Sequence, residues 1–108
     1  IKKEDGRIDW NAPSSVVGRR VRAFAGWPTA FAYFRGKRII VHDGRPLSIA
    51  VSPGPPGEVV AVSGEGIEVR CGDGSVFLVR RAQAENGREM AAGALSRGQR
   101  ITTGSVFE

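Results

Sequence analysis

Apolar residues recur at helical spacing near the start of the chain. Val17, Val21 and Phe24 follow one another at intervals of four and three residues, which places them on one face of a helix. This spacing predicts a helix from about residue 13 to residue 25, ended by the glycine and the proline that follow. At about 100° per residue, Arg19 and Arg22 lie on the opposite face of this helix.

From residue 30 onward the pattern changes to short β-prone runs separated by glycine. In the clearest run, residues 67 to 71, apolar side chains alternate with Glu68 and Arg70, as expected of a strand with one buried face. Five strands are predicted, at residues 30 to 34, 38 to 42, 58 to 63, 67 to 71 and 76 to 81.

Residues that tolerate positive φ separate these strands and predict turns between them. The predicted turns are Arg35-Gly36, Asp43-Gly44-Arg45-Pro46, Ser63-Gly64-Glu65-Gly66 and Gly72-Asp73-Gly74. Antiparallel hairpins should therefore dominate the topology. We expect a mainly β fold, an OB-like, partly open Greek-key barrel of about five strands with an N-terminal helix, rather than a two-sheet sandwich.

The 108 residues have the size of one domain. The charged stretch from residue 2 to residue 7 is typical of a linker, so we assign residues 1 to 12 to an interdomain linker and residues 13 to 108 to the folded domain. Because the chain begins with Ile1 and not with methionine, we expect it to be a segment of a longer protein.

The single cysteine, Cys71, excludes an internal disulfide and a cysteine-rich zinc site, and is typical of a reducing compartment. No apolar run approaches the roughly 20 residues that a membrane-spanning helix needs. The N-terminus also lacks the apolar core of a signal peptide. We therefore expect a cytoplasmic protein with no membrane partner.

The balance of charge favours an anionic partner. Sixteen Lys and Arg stand against 11 Asp and Glu, a formal net charge of +5, which suits nucleic acid, an anionic membrane or an acidic protein. A genome that encodes Arg in preference to Lys explains the many arginines equally well. Cations in the predicted linker, on the outer helix face and around the first hairpin should lie in water, where they can contact phosphate. The candidate nucleic-acid-binding residues are Lys2, Lys3, Arg19, Arg22, Arg35, Lys37 and Arg38.

The chain lacks a recognisable catalytic or metal-binding motif. His42 is the only histidine and has no sequence partner for a triad or a metal site, so we interpret it as a structural or neutral surface residue. The alternation of residues 67 to 71 places Cys71 on the inner face of its strand, so we expect it to be an inert core residue. The acidic residues Glu4, Asp5 and Asp9 lie in the predicted linker, where nothing would hold a reactive geometry. We predict no catalytic residue, no metal and no cofactor site in this chain.

An aromatic group surrounds the start of the first predicted strand. Phe24, Trp27, Phe31, Tyr33 and Phe34 are suited to base stacking in an OB-type groove, but their position where the helix meets the strand favours core packing. This weakens a third interpretation, that the chain is a stand-alone single-strand binder.

Several motifs in register cover nearly the whole chain. They are Glu4-Asp5-Gly6-Arg7-Ile8-Asp9-Trp10, Val21-Arg22-Ala23-Phe24, Trp27-Pro28-x-Ala30-Phe31, Pro56-Gly57-Glu58-Val59-Val60, Ile67-x-Val69-x-Cys71-x-Asp73-Gly74, Gln83 and Gly87-Arg88-x-Met90. Their order and spacing resembles the C-terminal domain of methionyl-tRNA formyltransferases and their formyltransferase relatives.

The resemblance implies a division of labour between two domains. A Rossmann-like N-terminal domain, absent from this sequence, would bind 10-formyltetrahydrofolate and hold the catalytic residues. The OB-like domain would help to hold initiator methionyl-tRNA while the whole enzyme formylates its amino group for translation initiation. Similar segments occur in sugar N-formyltransferases and folate-linked formyl hydrolases, so a structural domain that binds no nucleic acid remains the alternative.

Overall fold

Six strands and two helices make up the fold in the computed structural model, which describes residues 3–24 and 29–108. A short 3₁₀ turn at Lys3–Gly6 precedes the first helix. The helices are α1 (Ser14–Ala23) and α2 (Ala92–Gln99). The strands are β1 (Phe31–Phe34), β2 (Lys37–Ala50), β3 (Val59–Ser63), β4 (Gly66–Arg70), β5 (Ser75–Ala84) and β6 (Met90–Ala91).

The strands form one antiparallel sheet in the order β1-β2-β5-β4-β3, with β6 added beside β5. The predicted mainly β fold, the five predicted strands and the N-terminal helix are confirmed. Val17 and Val21 face the core from α1, which packs against β2 and β5. Trp27 and the predicted helix stop at Gly26 and Pro28 lie outside the described residues.

The turn predicted at residues 43 to 46 is wrong, because β2 continues through it. Gly44 pairs with Val79 and Pro46 with Phe77, and register shifts on both sides of Asp43 absorb the irregularity. A Cβ at position 44 would lie 2.6 Å from the ring of Phe77. This glycine therefore permits close packing in a bulged strand and does not form a turn.

The C-terminal residues lie between the two edge strands of the sheet. Phe107 donates its N–H to the carbonyl of Gly57, just before β3, at 2.8 Å. On the other side, Tyr33 of β1 and Glu108 exchange two backbone hydrogen bonds of 2.8 Å each. The segment thus bridges β1 and β3, which gives the partly open barrel its closure.

Part of the N-terminal segment is packed into the domain. Ile8 and Trp10 are 4% and 5% exposed. Ile8 donates its N–H to the carbonyl of Phe31 at 2.8 Å, and the Trp10 ring lies 6.0 Å from that of Phe107. The folded domain therefore begins before residue 13. That residues 1 to 12 act as an interdomain linker stays a prediction.

Candidate nucleic-acid interface

The β1–β2 turn and the end of α2 together line a depression of about 200 Å³. Three of its lining residues are cations, Arg35, Lys37 and Arg100, and all three are exposed. The other lining residues are Phe34, Gly98 and Gln99, so no acid borders it. The structure thus brings together two predicted residues and adds Arg100, which sequence reasoning missed because its partners are distant along the chain.

The backbone at two of these cations is left-handed. Arg35 has φ 51° and the following Gly36 has φ 78°, the signs that a two-residue type I′ hairpin turn requires. Arg100 follows α2 with φ 58°. Within the described residues, the only other non-glycine residue with positive φ is Asn86. Both arginines therefore occupy backbone conformations that glycine or asparagine adopts at lower cost.

An aromatic ring supports one of the cations. The guanidinium carbon of Arg35 lies 5.0 Å from the centroid of the Phe34 ring. Phe34 is 3% exposed and packs against Phe107, with ring centroids 5.7 Å apart. Arg35 is thus held at the rim of the depression by a core residue.

Arg38 differs from the prediction that it lies in water. Its guanidinium carbon lies 4.6 Å from the centroid of the Phe31 ring, the residue is half-buried, and its buried Nε has no hydrogen-bond partner among the described residues. The reason is the strand register, which sets Arg38 opposite Tyr33 on the face of the hairpin that carries Phe31. Its stem covers apolar surface there.

Arg7 packs against the same group of aromatic rings as Arg38. Its guanidinium carbon lies 5.0 Å from the Tyr33 ring centroid, and Tyr33 meets Phe31 edge-on at 5.5 Å. Phe31 and Phe34 are buried, which confirms core packing over base stacking for these two rings.

The helix arginines form a separate group. Arg19 and Arg22 are exposed on α1, as the helix angle predicts. Between them, Arg20 donates from a terminal guanidinium nitrogen to the carbonyl of Asp5 at 2.7 Å. Lys2 lies outside the described residues, as does the side chain of Lys3.

Ion pairs among the described residues involve other cations. They join Arg70 to Glu58, Arg80 to Asp43 at 3.7 Å and Arg81 to Glu89 at 2.7 Å. Nδ1 of His42 also lies 3.7 Å from Oε1 of Glu89. The hydrogen bond from Arg81 holds the pKa of Glu89 below its usual value, with the charge of His42 adding to the effect. None of these pairs contains Arg19, Arg22, Arg35, Lys37 or Arg38, the predicted phosphate-contacting residues whose side chains the structure describes.

A family model described as "Formyl transferase, C-terminal domain" matches residues 1–100. The chain belongs to this family. A methionyl-tRNA formyltransferase from Anaeromyxobacter dehalogenans (strain 2CP-C) is 40% identical over 101 residues, 93% of this chain and 32% of that protein. A methionyl-tRNA formyltransferase from Magnetococcus marinus (strain ATCC BAA-1437 / JCM 17883 / MC-1) is 38% identical over 104 residues, 96% of this chain and 32% of that protein. The chain therefore spans about a third of the length of these relatives.

Solved structures share the fold of this formyltransferase C-terminal domain. A variant of HypX from Aquifex aeolicus matches 97% of this chain and 19% of its own, with a TM-score of 0.71 and 21% identity. HypX crystallised with tetrahydrofolic acid matches 89% of this chain with a TM-score of 0.69 and 23% identity. At these identities the likeness concerns the fold alone.

Two further residues that the sequence singled out, His42 and Cys71, lie in structural surroundings in this formyltransferase C-terminal domain. A hydrogen bond of 2.8 Å joins Nε2 of His42 to Oε1 of Gln83 across β2 and β5, which agrees with the interpretation of His42 as a structural residue. Cys71 is 1% exposed, and burial, with the charge of Asp73 adding to it, raises the pKa of its thiol to about 12. Its predicted place in the core is confirmed.

Two negative findings apply to the part of the chain that the structure describes. There, no three His, Cys, Asp or Glu side chains come together in a group that would hold a metal ion. Neither α1 nor α2, with 10 and 8 residues, has the length and apolarity needed to cross a membrane, and no longer helix is described.

Proposed function

We propose that this chain is the tRNA-holding domain of a methionyl-tRNA formyltransferase. The whole enzyme would transfer a formyl group from 10-formyltetrahydrofolate to the amino group of methionyl-tRNA. One observation carries the proposal: relatives with that name are about 40% identical over nearly the whole chain.

The positive charge on part of the surface supports binding to the phosphates of tRNA. Arg35, Lys37 and Arg100 line a depression that no acid borders. Guanidinium groups make charge-assisted hydrogen bonds to phosphate oxygens, and such contacts position a nucleic acid without reading its sequence. The domain would therefore orient tRNA, whereas the N-terminal domain of the same polypeptide would bind the folate and hold the reacting groups.

Binding of an unmodified tRNA transcript to the 108-residue chain, titrated at several salt concentrations, tests the nucleic-acid part of the proposal. We expect weak binding whose logarithm falls linearly with the logarithm of salt concentration, because cations on the protein release counterions from phosphate. Different tRNA transcripts should bind about equally. Absence of binding at low salt would contradict the proposal and favour a structural domain of a sugar or folate formyltransferase.

A formyl-transfer assay tests the division of labour. Supplied with methionyl-tRNA and 10-formyltetrahydrofolate, this chain should give no turnover above a buffer control, because it would lack the folate pocket and catalytic residues. Turnover above the control would show that the chain itself contributes reacting groups.

A further inference from the structure

We infer that the depression between the β1–β2 turn and the end of α2 binds one backbone phosphate of RNA through Arg35, Lys37 and Arg100. The inference rests on the proposed function and names the part of the domain that makes a specific contact. It adds Arg100 to the residues that sequence reasoning selected.

The composition of the depression separates it from another arginine-rich surface of the chain. Arg45, Arg80 and Arg81 also line a depression, of about 360 Å³, but Asp43 and Glu65 line it with them. Arg80 is paired with Asp43 and Arg81 with Glu89. Each depression thus has three cations, but acids offset those of the larger depression and none offsets Arg35, Lys37 and Arg100. The depression without acids is therefore the better anion site.

The backbone supplies an independent argument. Type I′ turns favour asparagine followed by glycine, and helix ends favour glycine or asparagine in the left-handed conformation. Asn86 follows this preference, but Arg35 and Arg100 do not. These two exceptions are 65 positions apart in the sequence and meet in one depression. Residues that cost backbone strain and converge on one spot are typical of functional sites.

The end of α2 does not oppose an anion as strongly as a bare helix end would. Free carbonyls at a helix C-terminus repel negative charge. Here the carbonyl of Ser96 accepts a hydrogen bond of 2.8 Å from the N–H of Ile101, and that of Arg97 accepts one of 3.4 Å from Arg100. Two of the terminal carbonyls are therefore already occupied, and the Arg100 side chain adds positive charge beside them.

The test compares two double variants that remove the same charge. Arg35→Gln with Arg100→Gln empties the proposed site, and Arg45→Gln with Arg80→Gln removes two arginines from the depression that acids also line. In tRNA titrations, the site variant should reduce the salt slope by roughly one unit, because each phosphate that the protein neutralises contributes about 0.7–0.9 to that slope. The control variant should leave the slope close to that of the parent chain.

Glycine variants separate charge from folding. Arg35→Gly with Arg100→Gly removes both charges and suits the left-handed backbone, so its melting temperature should equal or exceed that of the parent while its salt slope falls as in the glutamine variant. Asn86→Gly changes the third left-handed residue without changing charge and should keep the parent slope. This pair keeps the test valid even if the glutamine variant folds poorly.

The outcomes distinguish the two levels of the proposal. Equal slopes for the site and control variants, with tRNA bound by the parent chain, would overturn the phosphate site but leave the proposed function standing. No binding by the parent chain would overturn both. Inorganic phosphate, compared with chloride at equal ionic strength, tests the ligand: phosphate should displace tRNA from the parent chain more strongly than chloride does. If phosphate binds the parent chain but displaces no more tRNA than chloride does, the site selects free phosphate and its assignment to the RNA backbone is wrong.

Discussion

Tyr33 and Glu108 exchange two backbone hydrogen bonds of 2.8 Å each, which attaches the last residue of the chain to an edge of the sheet formed near its start. The neighbouring Phe107 is 4% exposed and lies against Trp10 and Phe34, with ring centroids 6.0 Å and 5.7 Å away. Closure of the barrel therefore combines backbone pairing with the burial of one aromatic ring.

Phe107→Ala should lower the free energy of unfolding by about 3–5 kcal/mol, because it leaves a cavity among aromatic rings. Urea unfolding followed by tryptophan fluorescence measures the change. Val106→Ala is the matched control: Val106 is 42% exposed, and its truncation should alter stability by about 0.5 kcal/mol or less. Similar losses for both variants would mean that the ring does not anchor the segment.

Gly66 has φ 144°, and a Cβ there would overlap the carbonyl oxygen of Val79. Gly66→Ala should therefore destabilise the domain by more than about 1 kcal/mol. Gly64, in the same hairpin turn, has open space around its Cα, so Gly64→Ala should change stability by about 0.5 kcal/mol or less. Thermal unfolding of the two variants checks this, and a tolerated alanine at position 66 would contradict the close approach of β4 to β5.

Arg70 is 8% exposed and contacts the proline-rich loop that precedes β3. It forms an ion pair with Glu58 and donates from Nε to the carbonyl of Ser52 at 3.1 Å. Arg70→Met should cost about 1–3 kcal/mol, since it leaves these acceptors without their partner. Arg80→Met, which removes an exposed pair of 3.7 Å with Asp43, should cost about 1 kcal/mol or less. Denaturant unfolding of both variants measures the two losses of stability. Equal losses would contradict the idea that burial makes the Arg70 contacts the stronger ones.

The thiol of Cys71 has its pKa raised from 9.0 to about 12, chiefly by burial. The folded state therefore holds its proton over a range where the unfolded chain releases it. The stability from this group is fully present below pH 9 and is lost progressively as the pH rises from 9 to 12, by at most about 1.4 kcal/mol per pH unit. Comparison with Cys71→Ala isolates the effect, because the variant should show a shallower decline. Parallel curves for the two proteins would contradict the raised pKa.

Local patterns in the sequence determined most of the secondary structure. The spacing of Val17 and Val21 predicted α1, and alternation around Glu68 predicted β4, because the period of a helix or strand is written in neighbouring residues. The turns at residues 35–36, 63–66 and 72–74 followed from residues that adopt special backbone angles. Asp43-Gly44-Arg45-Pro46 carries the same signal, yet pairing with β5 keeps it within β2.

Only the tertiary structure decided which distant residues meet. Strand register and chain closure decide three of these contacts. They are the hydrogen bond between His42 and Gln83, the packing of Arg38 over Phe31, and the approach of Arg35 to Arg100 in one depression. Register and closure arise from the burial of a shared core, to which residues far apart in the chain contribute together. The sequence therefore determined that the chain is basic and where most cations lie along each element, whereas packing determined which of them lie next to one another.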